Sequence, residues 1–443
     1  MNTVIAEHTD ITNWYVNLFN EFSTNLNGNK ARPFWKLRNE AIQRFRELGF
    51  PGRKNEDWKY TSLKQFVKHE FQLADVTDIP EKKDLAPFTF PNLEERVLVF
   101  VNGHFTPHLS TFQVENGKLI VTSLKTAMVE HPSLVEQYLG KYLDYQNQTF
   151  PALNIAFITD GAFIYLPEGF IEEQPIHIMH VNTTKSPDRF CSPHHLIVAE
   201  RNSEVKIVES YHSLTEKTYF TNLVTEVILH EDARVEHVKI QDESRNAFHI
   251  ATVQAEHIEK SVYTLTNIDM GGGLARNNIN IVLNAPYSES HLYGFYLAGD
   301  RQHVDNHTLI DHAQPNCESN ETYRGILGGR ATGVFNGKVM VRPHAQKTNA
   351  YQSNKALLLS DDATVNSKPE LEIYADDVKC SHGATVGQLD PEALFYLRAR
   401  GIPEQKAYSI LQHAFAIDIF ENISISSVRE KLEAILPERF EQL

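Results

Sequence analysis

Cysteine is scarce in this chain of 443 residues, which has three: Cys191, Cys317 and Cys380. No two of them form a CxxC pair, so the sequence gives no support to a zinc ribbon, a thioredoxin-like redox site or a disulfide framework. A four-cysteine iron–sulfur site cannot be built from one copy of the chain. A cluster bound here would therefore need ligands from another molecule.

Positive charge and long apolar runs are also lacking. The 42 basic residues are outnumbered by 57 acidic ones, which gives a net charge of −15, and this balance repels the phosphates of nucleic acids. No apolar run approaches the roughly 18 residues of a membrane span. The first residues lack the basic and apolar regions of a secretory signal. We therefore expect a cytoplasmic protein that binds neither nucleic acid nor membrane.

Motifs of nucleotide binding and catalysis are absent as well. The sequence has no P-loop, no dinucleotide fingerprint, no GxSxG elbow and no HExxH pair. Residues 271–273 are three consecutive glycines, but neither a following lysine nor a strand-to-helix context supports phosphate binding there. We expect that the chain itself binds no nucleotide and is not a free-standing enzyme.

Helical patterns occupy the two ends of the chain. Residues 13–26 carry apolar side chains at helical spacing, and Pro33 is placed to begin a second helix. Near the other end, Asp390 is placed to cap a helix. The pattern of the last helix stops at Pro437. Both ends are therefore predicted to be helical domains.

These patterns divide the chain into four regions. The predicted regions are an N-terminal helical domain (1–75), a mixed α/β connecting region (76–165), an all-β core (166–388) and a C-terminal helical domain (389–443). Within the connecting region, residues 97–102 predict a buried strand, and residues 124–139 predict a short helical segment.

Short alternating β segments recur through the core region. Each follows a polar turn, and Val205, Val235, Val262 and His291 take similar places at intervals of about 30 residues. Residues 362–365 resemble a later copy. A period of this length in an all-β stretch favours the stacked coils of a β-solenoid. Short strands separated by turns are also typical of a β-sandwich or jelly roll, so the pattern alone leaves these folds open.

Histidine is plentiful, with 21 residues in the chain. His303 and His307 lie four apart, which on a strand places both on one face together with Asp305. Imidazole and carboxylate groups suit iron or zinc. One interpretation is a metal site, and the alternative is a polar face of the solenoid.

The most distinctive local feature is LEIYADDVKCSHG, residues 371–383. If one strand runs through this segment, Cys380 and His382 share a face and present a thiol beside an imidazole. These groups suit iron or an iron–sulfur cluster, but two ligands are too few for a stable site, so a partner surface would be required. The alternative is that Cys380 is a small buried apolar residue and that His382 is a hydrogen-bonded strand end.

Longer stretches resemble the SufB/SufD family of iron–sulfur cluster assembly proteins. They are YRGILGGRATGVFNGKVMV (residues 323–341), the segment from AQKTNAYQ to RARGI (residues 345–402) and, near the start, RKNEDWKYT (residues 53–61). The resemblance covers essentially the whole chain. At residues 379–382 the sequence is KCSH, where the SufB branch has a Glu-His-Glu-Ala sequence, so the chain is similar to the SufD branch.

This resemblance implies a right-handed parallel β-helix core between N-terminal and C-terminal α-helical domains. It implies a scaffold of the SUF system that joins SufB β-helix to β-helix and docks the ATPase SufC through its C-terminal helices. A homodimer is possible when SufB is absent. A transient iron–sulfur cluster, or iron, would be shared with SufB, with His382 as the metal ligand and Cys380 beside it.

Two other functions fit parts of the pattern. A β-solenoid enzyme acting on polysaccharide would use acidic residues, but the pairs at residues 361–362 and 376–377 are adjacent and would point to opposite faces of a strand. A stand-alone metal-storage or cupin-like protein would hold metal without a partner. Both remain alternatives on the sequence.

Overall fold

Strands make up most of the chain in the computed structural model, which describes residues 9–25, 34–112 and 119–443. The strands are β1 (Gln72–Leu73), β2 (Val97–Val101), β3 (His104–Phe105), β4 (Ile120–Ser123), β5 (Ala162–Leu166), β6 (Ile176–Asn182), β7 (Arg189–Cys191), β8 (His194–Ala199), β9 (Glu204–Ser213), β10 (Tyr219–Leu229), β11 (Arg234–Asp242), β12 (Ala247–His257), β13 (Val262–Asp269), β14 (Leu274–Leu283), β15 (Glu289–Ala298), β16 (His303–His312), β17 (Glu318–Leu327), β18 (Thr332–Val341), β19 (Asn349–Leu358), β20 (Thr364–Ile373) and β21 (Lys379–Gly387).

From β8 onward, consecutive strands alternate between two parallel sheets. Sheet 1 stacks the even-numbered strands from β8 to β20, and sheet 2 stacks the odd-numbered strands from β9 to β21. Each coil of the chain thus adds one strand to each sheet, and the side chains between the sheets fill a lumen. This is a parallel β-solenoid, as the β-helix prediction required. The sandwich and jelly-roll alternatives are wrong, because their sheets are antiparallel.

The register of the coils differs from the predicted one at two positions. Val205 pairs with Val235, but the next residues in this column are Tyr263 and Ser290. Val262 therefore lies one residue before the column position, and His291 lies one residue after it. A shift of one residue turns a side chain to the other face of a sheet, and both residues point outward whereas Tyr263 is buried.

Residues 362–365 lead into β20, which belongs to sheet 1. The predicted earlier copies all lead into strands of sheet 2. Strands of both sheets follow similar polar turns, so the turn sequence does not indicate to which sheet the next strand belongs.

The helices lie at the two ends of the chain and in the connecting region. They are α1 (Thr9–Asn25), α2 (Phe34–Leu48), α3 (Leu124–Glu130), α4 (Pro132–Tyr138), α5 (Thr149–Ala156), α6 (Pro391–Ala399), α7 (Glu404–Phe420) and α8 (Ser426–Glu441). No helix among the described residues is long and apolar enough to cross a membrane. The second predicted helix is α2, whereas Pro33 lies outside the described residues.

The N-terminal helices pack on the outer face of sheet 1. Tyr15 of α1 and Phe45 of α2 share one buried cluster with Phe150 of α5 and Phe220 of β10. The strand predicted at 97–102 is β2, whose five residues are all buried. The helical segment predicted at 124–139 is divided into α3 and α4.

The C-terminal helices pack on the outer face of sheet 2. Phe420 of α7 lies 5.2 Å from Phe295 of β15, measured between ring centroids. The Asp390 side chain accepts a hydrogen bond from the Glu392 backbone N–H, which confirms the predicted cap. The predicted end of the last helix at Pro437 is wrong, because α8 continues to Glu441. Phe440, in the added turn, is buried against the solenoid and stabilises that turn.

Candidate functional site at the open end of the solenoid

The two ends of the solenoid are finished differently. At the first end, β3 and β4 pair antiparallel with β2 and β5 and continue both sheets into the buried connecting region. At the other end, β20 and β21 each pair on one side only, with β18 and β19. Almost every residue of β21 is exposed. We call these the capped end and the open end, and the open end presents unpaired backbone N–H and C=O groups of the kind that add another strand.

The structure places Cys380 and His382 on β21, at this open end. Cys380 pairs with Ala350 and His382 pairs with Gln352, both of which face the lumen. Cys380 and His382 therefore share a face that continues the lumen outward. The sequence interpretation assumed one strand through residues 371–383. Instead, β20 ends at Ile373 and the chain turns before β21 begins at Lys379.

Cys380 and His382 differ in their surroundings. Cys380 is half-buried and packs with Val339, Val341 and Ala350, and burial raises the pKa of its thiol. The thiol is thus the protonated form near neutral pH. His382 is exposed and its imidazole is accessible to a docking molecule.

The two residues offer one imidazole and one half-buried thiol. Within residues 9–25, 34–112 and 119–443, no group of three or more His, Cys, Asp and Glu side chains is arranged to hold a metal ion. Sulfur and imidazole suit iron, but a four-coordinate iron site needs further ligands. By themselves, Cys380 and His382 therefore do not complete a four-coordinate metal site.

His303, Asp305 and His307 lie on the outer face of β16, where they bind another part of this chain. The Asp305 carboxylate forms an ion pair with Arg276 at 2.5 Å and accepts a hydrogen bond from Thr61. Burial acts to raise the pKa of Asp305, but Arg276 and the two histidine rings outweigh it and hold this pKa below its usual value. A carboxylate that is already neutralised by a guanidinium makes a poor metal ligand.

The Arg276 guanidinium also lies over the Trp58 ring, 3.8 Å from its centroid. Trp58 belongs to the RKNEDWKYT segment, so these contacts fix that segment to the outside of sheet 1. The polar-face interpretation of this histidine cluster agrees with the structure.

The acidic pairs considered for a polysaccharide enzyme lie in turns. Asp377 forms an ion pair with Lys347 at 2.6 Å on the surface. Asp361 and Asp362 lie in the turn between β19 and β20. Both pairs are exposed in these turns, so the structure gives no support to that alternative.

A second exposed surface lies on the C-terminal helices. Helix α6 buries none of its residues, and Phe395 and Tyr396 are 73% and 57% exposed. Tyr408 and Ile410 of α7 are also exposed. Adjacent exposed aromatic and aliphatic side chains of this kind mark surfaces that bind other proteins.

Two lumen residues behind His382 were missed by the sequence analysis. Gln352 and Glu321 lie on β19 and β17, directly below His382 in the same column of side chains. Both are fully buried. The solenoid period could have predicted them, because Glu321, Gln352 and His382 follow one another at intervals of about one coil. That prediction requires the correct register of the coils.

Comparison with known proteins identifies the family. Residues 180–415 match the family model described as the SufBD core domain of SUF system FeS cluster assembly. Residues 9–178 match the SufBD protein N-terminal region. The chain belongs to the SufBD family of the SUF system. It is an iron–sulfur cluster assembly protein of that family.

Named relatives resemble the chain over most of its length. An iron–sulfur cluster assembly SufBD family protein of Synechocystis is 33% identical over 396 residues, which cover 87% of this chain and 86% of the relative. The iron–sulfur cluster assembly protein SufD of Escherichia coli is 29% identical, over 90% of this chain and 92% of the relative. SufD of Bacillus subtilis is 28% identical, over 94% and 96%. The resemblance seen in the sequence is confirmed.

Proposed function

We propose that this SufBD-family chain is the SufD-type scaffold subunit of a complex with a SufB-type partner and a SufC-type ATPase. It contributes one side of the interface at which a nascent iron–sulfur cluster, the substrate of the machine, is assembled. The observation that carries this proposal is the open end, where an unpaired strand edge and the accessible imidazole of His382 lie together on β21.

The unpaired edges of β20 and β21 supply the docking surface for the SufB-type partner. Each strand is nine or ten residues long, and its free backbone groups pair with the edge of a second solenoid. A single hydrophobic or charged patch would not impose a register, whereas strand pairing does. In the absence of the partner, a second copy of this chain covers the same edge.

His382 faces this interface and supplies a ligand that the partner completes. One imidazole and a half-buried thiol leave a cluster short of ligands, so thiolates from the partner are required. This division explains why a family of cluster assembly proteins includes a chain with three cysteines, two of them buried. Cys380 packs within an apolar cluster, and its role is secondary.

The ATPase docks on the exposed surface of α6 and α7. The chain carries no nucleotide motif of its own, so the energy for assembly comes from this second partner. ATP hydrolysis then shifts the SufB-type subunit against β20 and β21 and opens the interface. Cross-links that lock this interface are expected to block ATP-driven assembly, and unimpaired assembly would contradict this step.

The proposal is tested by co-expression of the chain with SufB-type and SufC-type proteins from one genome. We expect the three proteins to co-purify with bound cluster. His382→Ala should keep the complex and lower its iron and sulfide content, and Cys380→Ala should lower it less. The purified chain alone should build no stable cluster.

His108→Ala is the matched control, because His108 is exposed in the turn that follows β3, at the capped end of the solenoid. It should leave the iron and sulfide content unchanged. A wild-type cluster yield for His382→Ala, or a chain that never associates with a SufB-type protein, would overturn the proposal.

A further inference from the structure

A column of polar side chains runs down the lumen from the exposed imidazole of His382. In-register pairing of the parallel strands places Gln352 of β19 directly below His382 and Glu321 of β17 directly below Gln352. Neighbouring strands are about 4.8 Å apart, so Gln352 is within reach of the His382 ring. His382 is exposed, while Gln352 and Glu321 are fully buried.

Glu321 holds one end of the Gln352 amide. Gln352 Nε2 donates a hydrogen bond of 2.7 Å to Glu321 Oε2. The other carboxylate oxygen, Oε1, accepts a hydrogen bond of 2.5 Å from the Thr308 hydroxyl. Because a carboxylate only accepts hydrogen bonds, it selects the orientation in which the NH₂ group of the amide points toward it.

The other end of the amide is left unpaired. Gln352 Oε1 is buried and has no hydrogen-bond partner among the described residues. A buried acceptor without a partner is costly and requires an explanation. Space for this side chain is made by Gly337 on the opposite sheet, where a Cβ atom would come within 2.5 Å of Gln352 Nε2. The lumen is thus shaped around a glutamine whose carbonyl oxygen is free.

We propose that Gln352 is a positioning residue for His382, anchored by Glu321, whose free carbonyl oxygen accepts the N–H of the His382 ring. One ring nitrogen is then fixed as the donor, and the other is fixed as the unprotonated nitrogen that faces the interface. Histidines that bind metals commonly have such a partner for their second nitrogen, which fixes tautomer and ring orientation. The link to iron rests on the proposed function, whereas the arrangement of the three side chains does not.

The test measures the His382 tautomer in the isolated full-length chain by long-range ¹H–¹⁵N NMR, with ¹⁵N-labelled histidine. The signals of His382 are assigned by their loss in His382→Gln. The spectra are recorded at pH 8, above the pKa of about 7 to which burial raises Glu321, so that the Glu321 carboxylate accepts the hydrogen bond from Gln352. We expect one tautomer to dominate the wild-type protein by roughly five- to tenfold.

Gln352→Met conserves the volume and removes the acceptor, and it should shift the tautomer ratio of His382 to that of an unconstrained histidine side chain. Glu321→Met removes the anchor and should have a similar effect. Glu321→Gln retains a carbonyl oxygen that accepts from Gln352 and should restore most of the wild-type ratio, which a purely space-filling role would not predict.

Asn354→Leu is the matched control. Asn354 is the next lumen amide along β19, but it pairs with Ala384 in place of His382, so its loss should leave the His382 tautomer unchanged. A wild-type tautomer ratio in Gln352→Met would overturn the proposal. No partner or iron is present in this experiment, so its result tests the hydrogen bond to His382 alone. The cluster yield of His382→Ala tests the proposed function separately.

Discussion

Glu209 and Glu321 are both fully buried carboxyl groups of the lumen, but their surroundings differ. Glu209, toward the capped end, lies 3.1 Å from His237 Nε2 and is the in-register neighbour of the buried Lys239. Burial acts to raise the pKa of Glu209, but His237, His195 and Lys239 outweigh it and hold this pKa below its usual value. Its charge is compensated on several sides.

Glu321, toward the open end, has only neutral donors, Thr308 and Gln352, at its two oxygens. Burial raises the pKa of Glu321 to about 7. A buried carboxyl group without a cationic partner lowers stability, and such groups concentrate at functional sites. Of these two carboxyl groups, Glu209 has cationic neighbours and lies within the stacked coils, whereas Glu321 has neutral neighbours and lies behind His382.

The largest expected effect is at the compensated carboxylate. Glu209→Leu leaves Lys239 and His237 buried without their counter-ion, and we expect a loss of about 3–5 kcal/mol in the free energy of unfolding. Urea unfolding at pH 7.5 measures it, with Glu321→Leu as the matched control, for which a smaller loss is expected. Equal losses in the free energy of unfolding for the two variants would contradict the proposed difference in charge compensation between Glu209 and Glu321.

The next effect concerns pH. The pKa of Glu321 is higher in the folded chain, about 7, than the ordinary 4.5, so the stability associated with its proton is complete below pH 4.5 and is lost as pH rises through 7. Glu321→Gln removes this loss. Between pH 5 and pH 8, the free energy of unfolding of the variant should therefore rise relative to that of the wild type by on the order of 2–3 kcal/mol.

Urea unfolding of both proteins at the two pH values measures this gain. Other titrating groups cancel in the difference between the proteins. A stability difference that is independent of pH would show that Glu321 is ionised throughout, as Glu209 is.

The smallest effect is expected at His382 itself. His237 and His382 belong to one lumen column, in which four residues lie between them: Leu265, Leu292, Glu321 and Gln352. His382→Ala removes an exposed side chain and should change the free energy of unfolding by less than about 0.5 kcal/mol. His237→Ala removes buried hydrogen bonds to Glu209 and Tyr263 and should cost about 2–4 kcal/mol. A large loss in the free energy of unfolding for His382→Ala would show that this side chain stabilises the fold.

Local signals in the sequence predicted the periodic features of this fold well. Helical spacing and the Asp390 cap depend on neighbouring residues, and the coil period of about 30 residues favoured a solenoid, whereas the resemblance to the SufB/SufD family implied the parallel β-helix. The one-residue errors at Val262 and His291 arose because a turn does not fix which residue of the following strand points inward. The helix continued past Pro437 because distant packing of Phe440 outweighed a local breaker.

The candidate site was predictable only in part, because some of its contacts join residues that are distant in the sequence. Cys380 and His382 are two residues apart, and their chemistry can be read from one segment. The contact between Trp58 and Arg276 joins residues more than two hundred positions apart, and the Gln352–Glu321 pair joins adjacent coils. Contacts of this range depend on the exact stacking of coils, which composition and spacing do not specify.

Hydrogen–deuterium exchange of the backbone amides measures whether the SufB-type partner covers the open end. In the monomeric chain, amides of β20 and β21 should exchange fast and those of β11 and β13 slowly. In the complex, β20 and β21 should gain roughly tenfold protection or more, while β11 and β13 stay unchanged. A stable complex in which β20 and β21 exchange as fast as in the monomeric chain would show that the partner does not cover this edge.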